Sequence, residues 1–401
     1  MALLLVLAIV VPRSAQAQTL QILYEFTGSG DGANPVAGLV RDTAGNLYGT
    51  TQSGGAHGLG AVFKLDTANH ETVLHSFSGS DGSTPVAGLI RDALGNFYGT
   101  TELGGAHSYG TVFKLDTENH ETVLHNFGVQ PDGIAPLGDL VRDAAGNLYG
   151  TTVNGGGSTP NAGTIFKVDA AGHETVLHNF TGPPDGASPA AGLVEDASGN
   201  FFFGTTESGG IAPGETYGTV FRVDATGHET VLYSFNLTDG GQPQGGLVRD
   251  SSGNLYGTTI EGGGNGTVFK VNPAGEATVL HNFLGTGDGA APTGRLVRDS
   301  AGNLYGTTVG GGTGICNSYD ARRKRWENIG CGTIFKVDPS GLETVLHSFT
   351  GLANGDGAWP RGGLVLDSSG NLYGTTANGG TGSCNVNGQN VGCGTVFKFI
   401  P

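Results

Sequence analysis

GNLYGTT occupies residues 45–51, and the same phrase returns at 146–152, 253–259, 302–308 and 370–376, with GNFYGTT at 95–101 and GNFFFGTT at 199–206. A phrase that recurs at a spacing of about fifty residues, with no helical periodicity, belongs to a repeat architecture whose units lean on their neighbours. Three further phrases accompany it in fixed order. AGLVRD (37–42) precedes it, GTVFKLD (110–116) follows it, and ETVLHSF (71–77) closes the unit. Each phrase is short, rich in Val, Leu, Phe, Tyr and Thr, and bounded by Gly, Asn or Asp, which is the signature of a β-strand. Four strands per unit make one blade of a propeller.

The two chain ends decide how the blades close. Residues 20–26, LQILYEF, form a lone copy of the ETVLHSF strand, whereas the chain finishes on GTVFKF at 394–399 without that strand. The termini therefore complete one blade between them. The expected fold is all-β, a seven-bladed β-propeller with its last blade closed by the N-terminal strand, which leaves no radial edge unpaired. With AGLVRD innermost, the RDxxGN and DxxGHE turns fall on one face. The DG loops and the GG-rich loops fall on the other, which carries most of the variation and is where binding residues are expected.

Composition narrows the function. Gly makes up 75 of 401 residues, yet it shows no three-residue period, so a collagen is excluded. Nineteen basic against 35 acidic residues give a formal charge of −16, which repels phosphate backbones and argues against nucleic acid as a partner. The basic run Arg322, Arg323, Lys324, Arg325 reads as a solvated loop. Residues 1–17, MALLLVLAIVVPRSAQA, read as a signal peptide with an Ala-Gln-Ala site before Gln18, without a basic residue between Met1 and the apolar run. Residues 18–401 are then one propeller, secreted or periplasmic and monomeric, with no integral membrane segment after cleavage. The four cysteines form two close pairs in corresponding loops, and local disulfides Cys316–Cys331 and Cys384–Cys393 are expected, since neither pair has zinc-site spacing.

The phrases DGxxPxAGLVRDxxGNLYGTTxxGG and GTVFKLDxxGHETVLHSF resemble the GloVer tandem repeat of exported bacterial proteins, and the strand order is similar to that of NHL-type propellers. The resemblance spans residues 20–399. It implies the fold and an exported location, and it brings no catalytic residues.

Candidate chemistry is sparse. HETVLH at 70–75, 120–125 and 173–178 looks like a zinc-protease motif, but its histidines are five apart at the start of a strand and cannot share one helix face. Most histidines recur at repeat positions, and Tyr24 and Tyr233 take the same place, which points to packing. His57 and His107, in the GG-rich loops of adjacent blades, are better ligand candidates. The DG-loop residues Asp31, Asp81, Asp132, Asp185, Asp239, Asp288 and Asp356 read as turn caps, with weak Ca²⁺ binding as the other reading. No metal, cofactor or catalytic residue is assigned.

A unique site in a sevenfold ring must appear as a departure from the repeat. Asp139 and Arg295 replace the Gly that other blades place at the start of the innermost strand, and Trp359, Arg361 and Gln244 depart beside them. A Trp face, two arginines and a carboxylate at the channel mouth suit stacking and hydrogen bonding to a polar ligand. Blades three and six are nearly opposite, so Asp139 and Arg295 are expected to pair across the channel. The expected function is an exported non-catalytic binding or scaffold propeller that recognises glycan or protein through its loop-bearing face. The alternative is a propeller lyase, hydrolase or lactonase with a polar or metal-bearing channel mouth.

Overall fold

The computed structural model describes residues 18–128, 130–157, 161–210, 217–320, 325–352, 355–386 and 388–401. The proposed leader and Arg322, Arg323 and Lys324 lie outside them. Seven four-stranded antiparallel sheets stand around one axis. Blade one runs outward through Val40–Arg41, Leu47–Thr51, Ala61–Leu65 and Glu71–Ser76, and blades two to six repeat this order. In blade seven the order is Val365–Leu366, Leu372–Thr376, Thr395–Ile400 and then Thr19–Glu25, so the N-terminal strand pairs with the C-terminal one from Thr19↔Ile400 to Glu25↔Thr395.

The repeat phrases form these strands because each supplies what its layer needs. The LYGTT strand is fully buried in blade one, and Gly49 sits at its centre because the third-strand Phe63 ring and Leu39 press on it. A Cβ there would lie 2.8 Å from the Phe63 ring and 2.9 Å from Leu39. Between blades, the last residue of each ETVLHSF phrase packs edge-on against the third-strand Phe of the next blade. Phe77 meets Phe113 at 5.2 Å and Phe127 meets Phe166 at 5.0 Å. The closing blade uses the same contact, with Phe26 against Phe63 at 5.1 Å. The core is thus a ring of inter-blade aromatic pairs, each pair contributing about 0.5–1.5 kcal/mol beyond its buried area.

Two local features differ from a plain reading of the repeat. The innermost strand pairs over two residues only, Val40↔Tyr48 and Arg41↔Leu47, because residues 37–39 are crowded against the neighbouring blade. A Cβ on Gly38 would stand 3.3 Å from the Gly363 carbonyl oxygen. The outer strand carries a bulge, between Val62 and Phe63 of its partner in blade one and at the matching place in the others, which breaks the two-residue alternation. His70 and His75 consequently serve different ends of the strand. The exposed His70 lies 3.3 Å from Asp66 in the lower turn, and the buried-side His75 lies 3.0 Å from Asp81 of the DG loop.

Candidate functional site

Two buried hydrogen bonds hold the channel lining in place. The first Thr of the GTT phrase reaches into the next blade in every blade but the fifth, where the Thr258 hydroxyl is buried without a partner: Thr50 Oγ1 donates to the Ala87 carbonyl at 3.1 Å and Thr307 to that of Gly362 at 3.3 Å. The residue before each lining proline, Asn34, Thr84, Ala135, Ser188, Gln242, Ala291 and Trp359, has a positive φ in every blade. Its N–H donates to a carbonyl of the preceding blade, as Trp359 does to Cys331 at 2.9 Å. The left-handed conformation is costly for Trp. It fixes where that side chain leaves the backbone.

The residues that follow form two stacked rings. The upper ring is Val36, Val86, Leu137, Ala190, Gln244, Thr293 and Arg361, and it divides the wall into an apolar arc from blades one to four and a polar arc from blades five to seven. Two residues further on lies the waist, where Gly38, Gly192, Gly246 and Gly363 are joined by Asp139 and Arg295. The cavity measures about 140 Å³ at the waist, against 520 Å³ at the loop-side mouth and 550 Å³ at the opposite end. A channel pinched at mid-height thus opens to both faces.

The structure brings Asp139 and Arg295 to the waist and Gln244 and Arg361 to the ring above it, and Trp359 joins Gln244 and Arg361 at the loop-side mouth. The expected pair across the channel is absent: among the described residues no ion pair joins Asp139 to Arg295. Asp139 turns sideways and accepts the Gly88 N–H at 2.6 Å, because the neighbouring glycine leaves that amide open. The stem of Arg295 lies along Gly246 and Gly363. Arg361 is exposed to the channel yet ringed by protein, and this burial pulls its guanidinium below its ordinary value. The indole N–H of Trp359 donates to the Gly330 carbonyl at 3.2 Å. Its hydrogen-bonding capacity is thereby used, and its half-buried ring packs on the core cluster of Cys331 and Ala358 while part of it stays exposed.

Two mouth residues escape the sequence reading. Glu102 and Glu207 follow the GTT phrase in blades two and four, and burial pushes both carboxyls up, with Gln244 pulling the other way on Glu207. Their signal was a single column, since the residue after GTT is Gln52, Glu102, Val153, Glu207, Ile260, Val309 or Ala377. His57 and His107 are exposed on the outer loops and line neither mouth nor waist. The DG-loop aspartates cap their loops, as when Asp81 accepts the Ser78 N–H at 2.8 Å.

Both disulfides are present as Cys316–Cys331 and Cys384–Cys393, which points to an oxidising, extracellular or periplasmic location. No helix among the described residues is long and apolar enough to cross a membrane. The insertions they staple, in blades six and seven, flank a cleft with an apolar floor of Ile315, Leu352 and Val391 and an amide rim that includes Asn317, Gln389 and Asn390. Trp359 walls this cleft as well as the channel mouth.

A ring of seven four-stranded blades around a polar channel, closed by pairing of the two termini, defines a repeat-built β-propeller. The chain belongs to the Gloeobacter/Verrucomicrobia repeat family, whose model matches residues 10–215, 157–322 and 212–401. No curated protein matches it. Similar solved structures include a PQQ-bound aldose sugar dehydrogenase from Streptomyces coelicolor, at 12% identity over 96% of this chain and 98% of that one, with a TM-score of 0.47. A gluconolactonase from Xanthomonas campestris is 15% identical over 72% of this chain and 86% of its own, with a TM-score of 0.45. A putative glucose dehydrogenase from Thermus thermophilus is 13% identical over 96% and 100%, with a TM-score of 0.44. What those proteins act on is a property of theirs and carries no argument about this channel.

Proposed function

We propose that this chain is an exported propeller that binds a carbohydrate-like ligand at the loop-side mouth of its channel. The division of the upper ring into an apolar arc and a polar arc carries the reading. A sugar ring presents an apolar face and an edge of hydroxyls, which suits Val36, Val86 and Leu137 on one side and Gln244, Thr293 and Arg361 on the other. The indole of Trp359 adds a stacking surface. Because Trp359 also walls the cleft between the stapled insertions, an extended ligand would run from cleft to channel. Export rests on residues 1–17 together with the two disulfides. A screen of the purified protein against a glycan array tests the reading. Retained oligosaccharides that are lost on Trp359→Ala support it, and an empty array rejects it.

A second reading, an enzyme, is favoured by Glu102 and Glu207. A carboxyl pushed up by burial is better suited than an exposed one to act as a general acid on a glycosidic or ester oxygen. Release of reducing sugar from a bound oligosaccharide, abolished by Glu207→Gln or Glu102→Gln with binding retained, would establish this reading. Binding without turnover leaves the first.

A further inference from the structure

The joints between blades bring together titratable side chains that the channel does not use. At the first joint, His75 ends the outer strand of blade one, Asp81 follows in the DG loop, and Glu121 opens the outer strand of blade two. Their ligand atoms lie within 4.8 Å of one another, as do those of His125, Asp132 and Glu174 at the second joint and His178, Asp185 and Glu229 at the third.

Three observations separate these trios from ordinary polar packing. The Oε1 atom of each glutamate is buried and accepts no hydrogen bond, which is costly for a carboxylate. Burial, and next the like charge of the facing aspartate, push each glutamate up to about 7. Each imidazole ring is held edge-on to a buried phenylalanine, His75 to Phe77 at 4.9 Å, so that Nε2 is aimed at the aspartate. At the first joint Asp81 Oδ1 takes the Ser78 N–H, which leaves Oδ2 directed into the trio, 3.0 Å from His75 Nε2.

We propose that the His–Asp–Glu trios at these three blade joints are binding sites for a divalent transition cation such as Zn²⁺ or Mn²⁺. One imidazole and two carboxylates match the ligand preference of such ions, and Ca²⁺, which takes oxygen ligands, suits them less well. A cation about 2.0–2.2 Å from each ligand would hold donor atoms roughly 3.4 Å apart, within the spacing available. It would neutralise the two facing carboxylates and give each orphaned Oε1 a partner. Two other joints are built differently. Tyr24 donates its hydroxyl to Asp31 at 3.0 Å, and Tyr233 donates to Asp239 where the glutamate position holds Ala277. There a phenol supplies a hydrogen bond where the other joints present a metal ligand. At the joint of His281, Asp288 and Glu343, the histidine and aspartate stand 3.5 Å apart and weaker loading is expected.

The sequence could not disclose these sites, because the three ligands come from a strand, the following loop and the next blade's strand. The two histidines of a HETVLH string face different carboxylates, His70 that of Asp66 and His75 that of Asp81.

The test is calorimetric titration of Zn²⁺, and separately Mn²⁺, into the full chain stripped of metal with a chelator. Three tight sites per chain and an upward shift of the thermal midpoint are expected. The triple variant Glu121→Gln, Glu174→Gln, Glu229→Gln should keep its β-sheet spectrum and lose those sites, with affinity down at least tenfold. If the triple variant does not fold, each single variant should lower the stoichiometry by one. Replacing the exposed turn histidines His70, His120 and His173 with Ala should leave uptake unchanged. No tight uptake by the parent, or equal uptake by parent and glutamine variants, or loss of uptake in the turn-histidine variant, would overturn the proposal.

Discussion

Phe113 shows how one repeat residue acts in two blades: it fills the space above Gly99 in its own sheet and receives the edge of Phe77 from the previous one. It is fully buried, so Phe113→Ala should destabilise the ring by about 3–5 kcal/mol, read as a lower denaturation midpoint. A cost below about 1 kcal/mol would mean that the inter-blade aromatic pair is not a main support. Glu71, at the closing joint, makes a pH prediction. Burial, and next the charge of Asp31, push its carboxyl up to about 7. The folded chain therefore keeps a proton that the unfolded chain has already lost, unfolding releases it, and stability falls as pH rises from the ordinary glutamate range through 7. In chelated protein, Glu71→Gln should raise the thermal midpoint at pH 8 and leave it nearly unchanged at pH 5. A variant equally altered at both pH values would contradict the assignment.

The strands were legible because their punctuation repeats: a Gly–Asn before the second strand, and an Asp, or Asn272 in blade five, after the third strand of blades one to six, are turn chemistry that single residues announce. The short innermost strand was not, since AGLVRD reads as a full strand until neighbouring blades crowd its first half, a contact between residues far apart in sequence. The same holds for Asp139. Its substitution for Gly was visible, but its partner, the Gly88 amide, belongs to another blade, and pairing with Arg295 followed only if the side chains pointed along the ring's diameter. The bulge in the outer strand likewise leaves no mark in the phrase ETVLHSF. The two stapled insertions close loops with sequence separations of 15 and 9 residues, and each staple is worth about 3 kcal/mol or less. Each staple ties its insertion to a fully buried cysteine of the same blade, Cys331 or Cys393, so no connection between blades depends on it. Reduction should therefore leave the β-sheet spectrum intact and lower the melting temperature by only a few degrees. Collapse of the spectrum on reduction would place the staples in the scaffold itself.

At the scale of the molecule, closure and channel are one problem. The strand Thr19–Glu25 completes blade seven and, through Phe26 against Phe63, locks it to blade one. Removing residues 18–26 should lower the thermal midpoint of the whole ring in a single transition, and an unchanged midpoint would contradict the closure. A closed ring in turn keeps the seven lining segments in register, so that departures scattered over blades three, five, six and seven meet at one waist. The channel has arginines at both ends: Arg361 at the loop-side mouth and Arg298 at the opposite end, where it rests over the Tyr256 ring at 5.8 Å. The most direct test of the proposed site is the affinity of a retained oligosaccharide for Arg361→Ala and Arg298→Ala, each checked for an unaltered fold. Loss of a charge-assisted hydrogen bond worth about 1.5–3 kcal/mol predicts at least tenfold weaker binding for Arg361→Ala and none for Arg298→Ala. Equal effects, or loss confined to Arg298→Ala, would move the site away from the loop-bearing face.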